Sequence, residues 1–526
     1  MTEPPPPAVV RAPDFPPGLD WLFLAGAAPN AAPNAAPNAD APSALALADL
    51  RGKVVVVDLW TYGCINCQHA LATLAALEAR FPRELVVVGV HSGKFIAERD
   101  TRRIAHAARR LGAAGHPVVN DRQFRVWRAW AARGWPTLAV VDPRGYVVWQ
   151  QAGEPRLAAL AGVVASVVAA ADAAGTLDRA PRPWQAEEAL DPPPPALRYP
   201  GGLAASAPDA AGVRRLAVAS NGGGRPGARL LVGRLTERGR RLVVERVLDG
   251  GGDPFARPQG LAFDAAVDAD GAPGDGAPAT LYVADTGTHR VRAVDLATGA
   301  TRVLAGTGVR VRTAADRAAG AIASPWALLP APDGTLLVAM AGTHELWRVD
   351  PRGDPASARP VAGGRGEGLV DAPPGTPARD ALLAQPVALA SDGHRVWWAD
   401  AEASAVRETT AAALDGRDDD GTRTLVGTGL FDFGNRDGVG DEVRLQHPQG
   451  LAWLDGRLVV ADAYNDALKW LDPATRTVST WKTGFAEPGA LAVAGRVVYV
   501  ADTNAHRIVG VDGDESWEVE IEMSGA

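Results

Sequence analysis

Read along its apolar positions, the chain changes character near residue 175. Before that point, β-branched runs of strand length alternate with stretches of helical spacing. Lys53 to Leu59 and Glu84 to Val90 are nearly continuous apolar runs, the pattern of parallel strands buried on both faces. Gln68 to Arg80 sets Leu71, Leu74 and Leu77 on one helical face. Asp100 to Leu111 reads as a basic amphipathic helix and Leu157 to Ala174 as a closing helix. Thr137 to Val141 and Tyr146 to Gln150 read as a hairpin around Asp142-Pro143-Arg144-Gly145. The order βαβα, then ββα, predicts a small α/β domain over residues 45–175.

Beyond it the helical spacing stops and a repeat begins. Each unit has Pro-x-(Gly/Ala)-Leu, followed by a strand that ends in Ala-Asp. Pro258-Gln-Gly-Leu261 pairs with Val283-Ala-Asp285, and Pro448-Gln-Gly-Leu451 with Val460-Ala-Asp462. Further copies start at Pro325, Pro386 and Pro488, and a weaker one at Pro200. In the Pro325 copy Met340 stands where the others have Asp. Six units of short strands with Gly-rich turns predict a six-bladed β-propeller over residues 197–514. A lone four-stranded blade cannot bury both faces, so the units must stack around an axis.

Three segments fall outside these patterns. Residues 1–44 are an N-terminal extension in which Ala-Ala-Pro-Asn occurs three times over residues 27–38. Proline at that density forms neither helix nor ladder, so this reads as a flexible insertion. Residues 176–196, with the run Pro192 to Pro195, read as a proline-rich spacer between domains. Residues 515–526 read as an acidic tail. The fold class is thus multidomain, α/β followed by all-β.

Composition narrows the function. The 526 residues carry a net charge of -8 with no long basic run, which argues against a nucleic-acid surface. No apolar run is long enough to cross a bilayer, and Met1 to Pro7 is acidic and proline-rich rather than a basic leader. These features predict a cytoplasmic monomer with no membrane contact. The chain has 2 cysteines, Cys64 and Cys67, too few for a structural disulfide framework.

A Cys-x-x-Cys pair admits several chemistries. Structural zinc needs four ligands, and only His69, His91 and His116 could help complete the set. Haem attachment needs His after the second Cys, where Gln68 stands. The pair can also be inert, or redox-active. If Cys64 caps the following helix, unpaired N–H groups there favour its thiolate, and Cys67 lies one turn on, able to attack a disulfide at Cys64. His69 reads as a helix-surface residue. In the propeller, the recurring Asp285, Asp400, Asp462 and Asp502 read as turn-holding side chains, as do His289, His344 and His506. Asp415 with Asp418, Asp419 and Asp420 lacks the spacing of a calcium loop and reads as a solvated hairpin tip. No cofactor or metal is expected.

Val57-Asp58-Leu59-Trp60, Cys64-Ile65-Asn66-Cys67 opening a helix, and Trp135-Pro136-Thr137 opening a strand resemble the thioredoxin fold. Asp285-Thr-Gly-Thr-His-Arg290 and Asp502-Thr-Asn-Ala-His-Arg507 resemble NHL-repeat propellers. Joined in this order, they resemble the family of thioredoxin-domain proteins with NHL repeats. Trp60-Thr-Tyr-Gly-Cys-Ile-Asn-Cys67, Val90-His-Ser-Gly-Lys-Phe95 and His116-Pro-Val-Val-Asn-Asp121 fit the same family. The resemblance implies that Asp58 is the buried carboxylate that moves the proton of the second cysteine. It implies that Pro136 is the cis-proline facing the pair. Gly63 departs from the pattern, because thioredoxins place Trp there. Larger family members also carry a further C-terminal β domain that these residues do not match. The expected function is a thiol–disulfide oxidoreductase. Cys64 would attack a disulfide or oxidised thiol on a client protein, Cys67 would resolve it, and the propeller would bind the client or another protein. The alternative is an interaction scaffold with idle cysteines; a propeller hydrolase would need an acid–base or metal set that the repeats do not show.

Overall fold

The computed structural model describes residues 10–24, 44–181, 197–222, 227–264, 276–353 and 357–523. The Ala-Ala-Pro-Asn repeats and the Pro192 to Pro195 run lie outside the described residues. The chain divides into two compact units, Met1–Pro193 and Pro194–Ala526.

The first unit is built on a seven-stranded sheet. Its strands are β1 (Val10–Arg11), β2 (Asp20–Leu22), β3 (Val54–Trp60), β4 (Leu85–His91), β5 (Val118–Asn120), β6 (Thr137–Val141) and β7 (Tyr146–Ala152). Their order is β1-β7-β6-β3-β4-β5-β2. β3, β4 and β5 are parallel, whereas β6 and β7 run antiparallel. The helices are α1 (Ile65–Arg80), α2 (Thr101–Leu111), α3 (Arg125–Ala129) and α4 (Leu157–Ala173). β3 and β4 are buried along their whole length, as their nearly continuous apolar runs require, with Asp58 and His91 buried among them. One face of β3 packs Val55, Val57 and Leu59 into a core with Val86, Val88 and Val90. The other face carries Asp58 and Trp60, opposite Gly89 and His91 of β4. In α2, Asp100 caps the first turn by accepting from the N–H groups of Arg102 and Arg103. In the β6–β7 turn, Asp142 accepts from the N–H groups of Arg144 and Tyr146.

The unit is larger than residues 45–175. β1 and β2 come from the stretch assigned to the N-terminal extension, and Ala12, Phe15 and Leu24 enter its core. Thr176 to Pro181, assigned to the spacer, pack here too. The buried Lys53 ammonium donates to the carbonyls of Arg83, Asp178 and Ala180 at 2.6, 2.6 and 2.7 Å. A buried ammonium satisfied on three carbonyls fixes the exit of the chain to the start of β3.

The second unit is a six-bladed β-propeller of six separate sheets. The first strands of successive blades touch in a closed ring, the sixth against the first. Where it is present, the buried repeat Asp joins a blade to its own entry. Asp285, Asp462 and Asp502 accept from the backbone N–H of Ala256, Gln446 and Ala486, each two residues before the blade's Pro. Each also faces a cation from the third strand: Arg292 at 3.2 Å, Lys469 at 3.8 Å and Arg507 at 2.7 Å, while Asp400 faces Arg407 at 3.0 Å. In the third blade the acid is Met340 and the residue at the cation's position is Trp347, both in one apolar cluster. Losing the buried acid without its cation would strand a charge, so the pair changes together.

A second set of contacts links neighbouring blades. His289, His344 and His506 adopt positive φ, and their Nδ1 atoms accept from the N–H groups of Ser324, Gln385 and Tyr199 at 3.1, 3.0 and 3.0 Å. Ser404 and Asp466 do the same for His447 and Glu487. The His506–Tyr199 bond ties the last blade to the first.

Within the acidic stretch, Glu515 to Met523 form strands rather than a tail. Glu515–Glu518 is the outer strand of the sixth blade. Glu520–Met523 continues as a fifth strand on the first blade, parallel to Arg241–Leu248. Arg240 pairs with Glu515, and Arg241 with Glu520 and Glu522, so the negative charge finds its partners on the first blade. The acidic cluster near residue 418 is also engaged. Asp415 pairs with Arg348, and Asp418 accepts from the Thr410 hydroxyl.

Asp462→Ala should cost the propeller about 3 kcal/mol. It unpairs the Gln446 N–H, takes one of two acceptors from the Asn465 amide, which keeps the Gly434 carbonyl, and removes a carboxylate from beside the buried Lys469. Urea unfolding of the variant checks this; an unchanged midpoint would mean the repeat Asp does not hold the blade.

Candidate functional site

The site forms where β3 delivers the chain into α1. Cys64 is the residue that caps α1, with extended backbone (φ -71°, ψ 119°), and Cys67 lies in its first turn. Both thiols are free; Cys64 is half-buried and Cys67 fully buried. The helix therefore begins at Ile65, three residues before the leucine periodicity becomes visible.

The loop between β3 and α1 is held by a carboxylate that no sequence pattern singled out. Glu98 is fully buried and accepts from the Thr61 hydroxyl at 2.6 Å and the Gly63 N–H at 2.8 Å. It also accepts from the Phe95 N–H at 2.9 Å. It thus joins Trp60-Thr-Tyr-Gly63 to Ser92-Gly-Lys-Phe95. Gly93 permits this approach, because a Cβ there would meet Glu98 Cβ and its carbonyl at 2.7 Å. Gly63, the departure from the thioredoxin pattern, gives its N–H to this carboxylate. The Gln68 amide donates to the Tyr62 carbonyl at 2.9 Å.

Trp135 and Pro136 border the pair on the other side. The Trp135–Pro136 bond is cis, and the Trp135 carbonyl lies 4.0 Å from Cys64 Sγ. The Trp135 indole donates to the Ser92 carbonyl at 2.9 Å and packs on Trp127, ring centroids 4.6 Å apart. Trp135 thus borders Cys64 through its backbone carbonyl, with its ring held by Ser92 and Trp127.

Beneath the pair lies a buried layer of titratable groups. Asp58 is fully buried, and neither carboxylate oxygen has a hydrogen-bond partner among the described residues. Burial pushes it up to about 7 from its ordinary 3.8, and His116 works against that rise. Cys67 is pushed well above the usual thiol range, first by burial, then by a hydrogen bond and charge interaction with Cys64 and by the Asp58 charge. His91 is pushed down to about 3 by burial, so its ring is neutral. Its Nε2 accepts from the Tyr62 N–H at 3.1 Å, and its ring stacks on Tyr62. His116 Nδ1 lies 3.3 Å from Glu78 Oε1 on α1.

The four residues singled out from the sequence, Asp58, Cys64, Cys67 and Pro136, therefore meet around one helix start. Glu98, His91, His116 and Trp135 complete the surroundings. Of these, His91, His116 and Trp135 lie inside the quoted motifs, whereas Glu98 carries no local signal. His69 is not on the surface: it is buried and bonded to Glu154 at 2.8 Å.

The Thioredoxin-like family matches residues 52–147. Protein SUPPRESSOR OF QUENCHING 1, chloroplastic, of Arabidopsis thaliana is 34% identical over 550 residues, 98% of this chain and 48% of the relative. The chain thus spans about half the length of that plant protein. NHL repeat-containing protein 2 of Bos taurus is 32% identical over 564 residues, 95% of this chain and 70% of the relative. Its Homo sapiens counterpart is 30% identical over 564 residues, with 96% and 70% covered. With a thioredoxin-like domain, six NHL-type blades and relatives matched along nearly its whole length, the chain belongs to the family of thioredoxin-domain proteins with NHL repeats.

Proposed function

We propose that the chain is a thiol–disulfide oxidoreductase acting on client proteins. The observation that carries this reading is the graded burial of the pair. Cys64 is half-buried at a helix start, and Cys67 is fully buried in its first turn, where the Asp58 charge acts on it. A client disulfide can reach Cys64 and not Cys67. Attack by the Cys64 thiolate forms a client–Cys64 disulfide and releases the client's other sulfur as a thiolate. Cys67 then attacks Cys64 Sγ, its proton passes to Asp58, and the client leaves reduced while Cys64 and Cys67 end as a disulfide. An external thiol reductant returns the pair to the dithiol.

Cis-Pro136 supports the same reading, since the Trp135 carbonyl borders Cys64 where an extended client segment would lie. The propeller is read as the surface that holds the client or a further protein partner. No helix among the described residues is long and apolar enough to cross a membrane. We place the activity in a reducing compartment such as the cytoplasm, with the chain as a monomer, because both of its cysteines belong to the pair and neither is spent on a structural bridge.

Insulin reduction with a dithiol as electron source tests this. The reading expects catalysed precipitation of the insulin B chain above the rate of the dithiol alone. No acceleration across neutral pH, with the protein folded, would leave the interaction-scaffold reading in its place.

A further inference from the structure

Thr61, Tyr62 and Gly63 carry the chain from the end of β3 to Cys64, and each is held from the end of β4 or the segment after it. The Tyr62 N–H donates to His91 Nε2 at 3.1 Å. Thr61 and Gly63 share a single partner. Glu98 Oε1 accepts from the Gly63 N–H at 2.8 Å, and Oε2 accepts from the Thr61 hydroxyl at 2.6 Å and the Phe95 N–H at 2.9 Å. Glu98 is fully buried, so water does not compete for these bonds. The two turn residues that it holds each adjoin one cysteine. Gly63 is joined to Cys64 by the peptide bond, and the backbone of Thr61 hydrogen-bonds Cys67. Cys67 is fixed by the first turn of α1, but Cys64 has extended backbone at its cap. The helix alone therefore does not set where the Cys64 sulfur stands; the turn before it does. Gly93 has room for no side chain, because Glu98 packs against it with its Cβ and carbonyl 2.7 Å from where a Cβ would be.

We propose that Glu98 is the positioning residue for closure of the Cys64–Cys67 bond: by gathering Thr61 and Gly63 onto one carboxylate, it keeps the two sulfurs within reach of each other. The proposal rests on the oxidoreductase reading and adds the residue that sets how readily the pair closes. Glu98 acts through Thr61 and Gly63 rather than on the sulfur atoms. A thiol held beside its target attacks at an effective concentration far above that of a free thiol, and a slack turn gives part of that advantage away. Loss of the Glu98 bonds should therefore weaken the Cys64–Cys67 disulfide and slow its formation. The first attack on a client needs Cys64 alone and should be spared. Glu98→Gln replaces one accepting oxygen by a donating amide, which cannot take the hydrogen bonds that Oε1 and Oε2 share among Thr61, Gly63 and Phe95. Thr61→Val removes one of those bonds and keeps the branched shape of the side chain.

Two measurements on the full chain test this. In dithiothreitol buffers of graded ratio, the equilibrium constant for closing the pair should fall about tenfold in Glu98→Gln, a shift of about 30 mV towards a more oxidising couple. In stopped-flow reaction of the reduced protein with dithiobisnitrobenzoate, attack by the Cys64 thiolate forms a mixed disulfide and releases one thionitrobenzoate. Attack by Cys67 on Cys64 Sγ then forms the Cys64–Cys67 bond, gives up the Cys67 proton and releases a second. The second release should slow about tenfold in Glu98→Gln while the first keeps its rate. Thr61→Val should show both shifts in weaker form, and the double variant should lose little beyond Glu98→Gln, because the two changes remove one shared contact. A residue that only stabilised the fold would lower the urea midpoint and leave the potential of the folded protein where it was. Wild-type potential and wild-type rate ratio in both variants, or an equal slowing of both releases, overturns the proposal. If Glu98→Gln does not fold, Thr61→Val decides by the same two readouts. Absence of any second release from the wild-type protein overturns the oxidoreductase reading itself, and the role of Glu98 with it.

Discussion

Cys64→Ser should abolish disulfide reduction, lowering turnover by more than about a thousandfold, because a hydroxyl at this pH is a far weaker nucleophile than a thiolate. Cys67→Ser should differ in kind. Cys64 remains half-buried and can still attack, but nothing behind it displaces the client. With a model peptide disulfide, this variant should release one thiol per chain and stop, holding the other half of the peptide on Cys64. Mass spectrometry of the intact protein distinguishes the cases: an adduct on Cys67→Ser, none on Cys64→Ser, and a transient one on the wild type. The asymmetry follows from burial alone, since Cys67 is wholly enclosed. An adduct on Cys64→Ser would show that Cys67 is reachable, and would reverse the assignment.

The second large effect belongs to Asp58. Cys67 is held as a thiol by burial, so its attack needs a base, and Asp58 is the carboxyl that interacts with it. Asp58→Asn should slow resolution by about a hundredfold while leaving the first attack in place. It should also change how stability depends on pH. Burial raises Asp58 to about 7 from 3.8, so the folded state binds its proton more tightly than the unfolded chain does. Below about pH 4 both states hold that proton and nothing is lost. Between pH 4 and 7 the unfolded state ionises and the folded state resists, and above pH 7 the full cost of an ionised buried carboxylate is present. Asparagine does not ionise. Between pH 4 and 8, the stability of Asp58→Asn relative to wild type should therefore improve, by at most about 4 kcal/mol. Urea titrations at the two pH values measure it. Parallel changes in both proteins would mean that Asp58 is solvated and is not the buried acid described here.

Much of this was legible in the sequence, for reasons that can be named. β3 and β4 are nearly continuous apolar runs because both faces are buried, and the blade repeat is visible because most blades make the same joints. Asp462 holds its entry strand at Gln446 as Asp502 holds its own at Ala486, so the acid recurs with the spacing of the blade. What escaped was whatever depends on a distant partner. The strand Glu520–Met523 reads as a charged tail until Arg241 stands beside it. β1 and β2 are two and three residues long, within a proline-rich stretch that carries no period. Glu98 and His69 look like surface groups in a polar neighbourhood, and each is buried by a bond that the sequence does not announce, to the Gly63 N–H and to Glu154. In the site, Cys64 and Cys67 could be named from their spacing, whereas Asp58 and Pro136 could be named only through the resemblance to the thioredoxin fold. His116 could be quoted as part of a motif, but its place beside Glu78 of α1 needed the fold.

The central claim is that Cys64 and Cys67 form one redox couple, and equilibrium titration tests it most directly. The purified chain is equilibrated in dithiothreitol buffers of graded ratio, quenched by alkylation and weighed intact. The account predicts a single two-electron transition between a chain with both thiols alkylated and one with neither, with no stable one-thiol species. Two cysteines that stay alkylatable across the whole range, or that oxidise one at a time into adducts with the buffer, would contradict it.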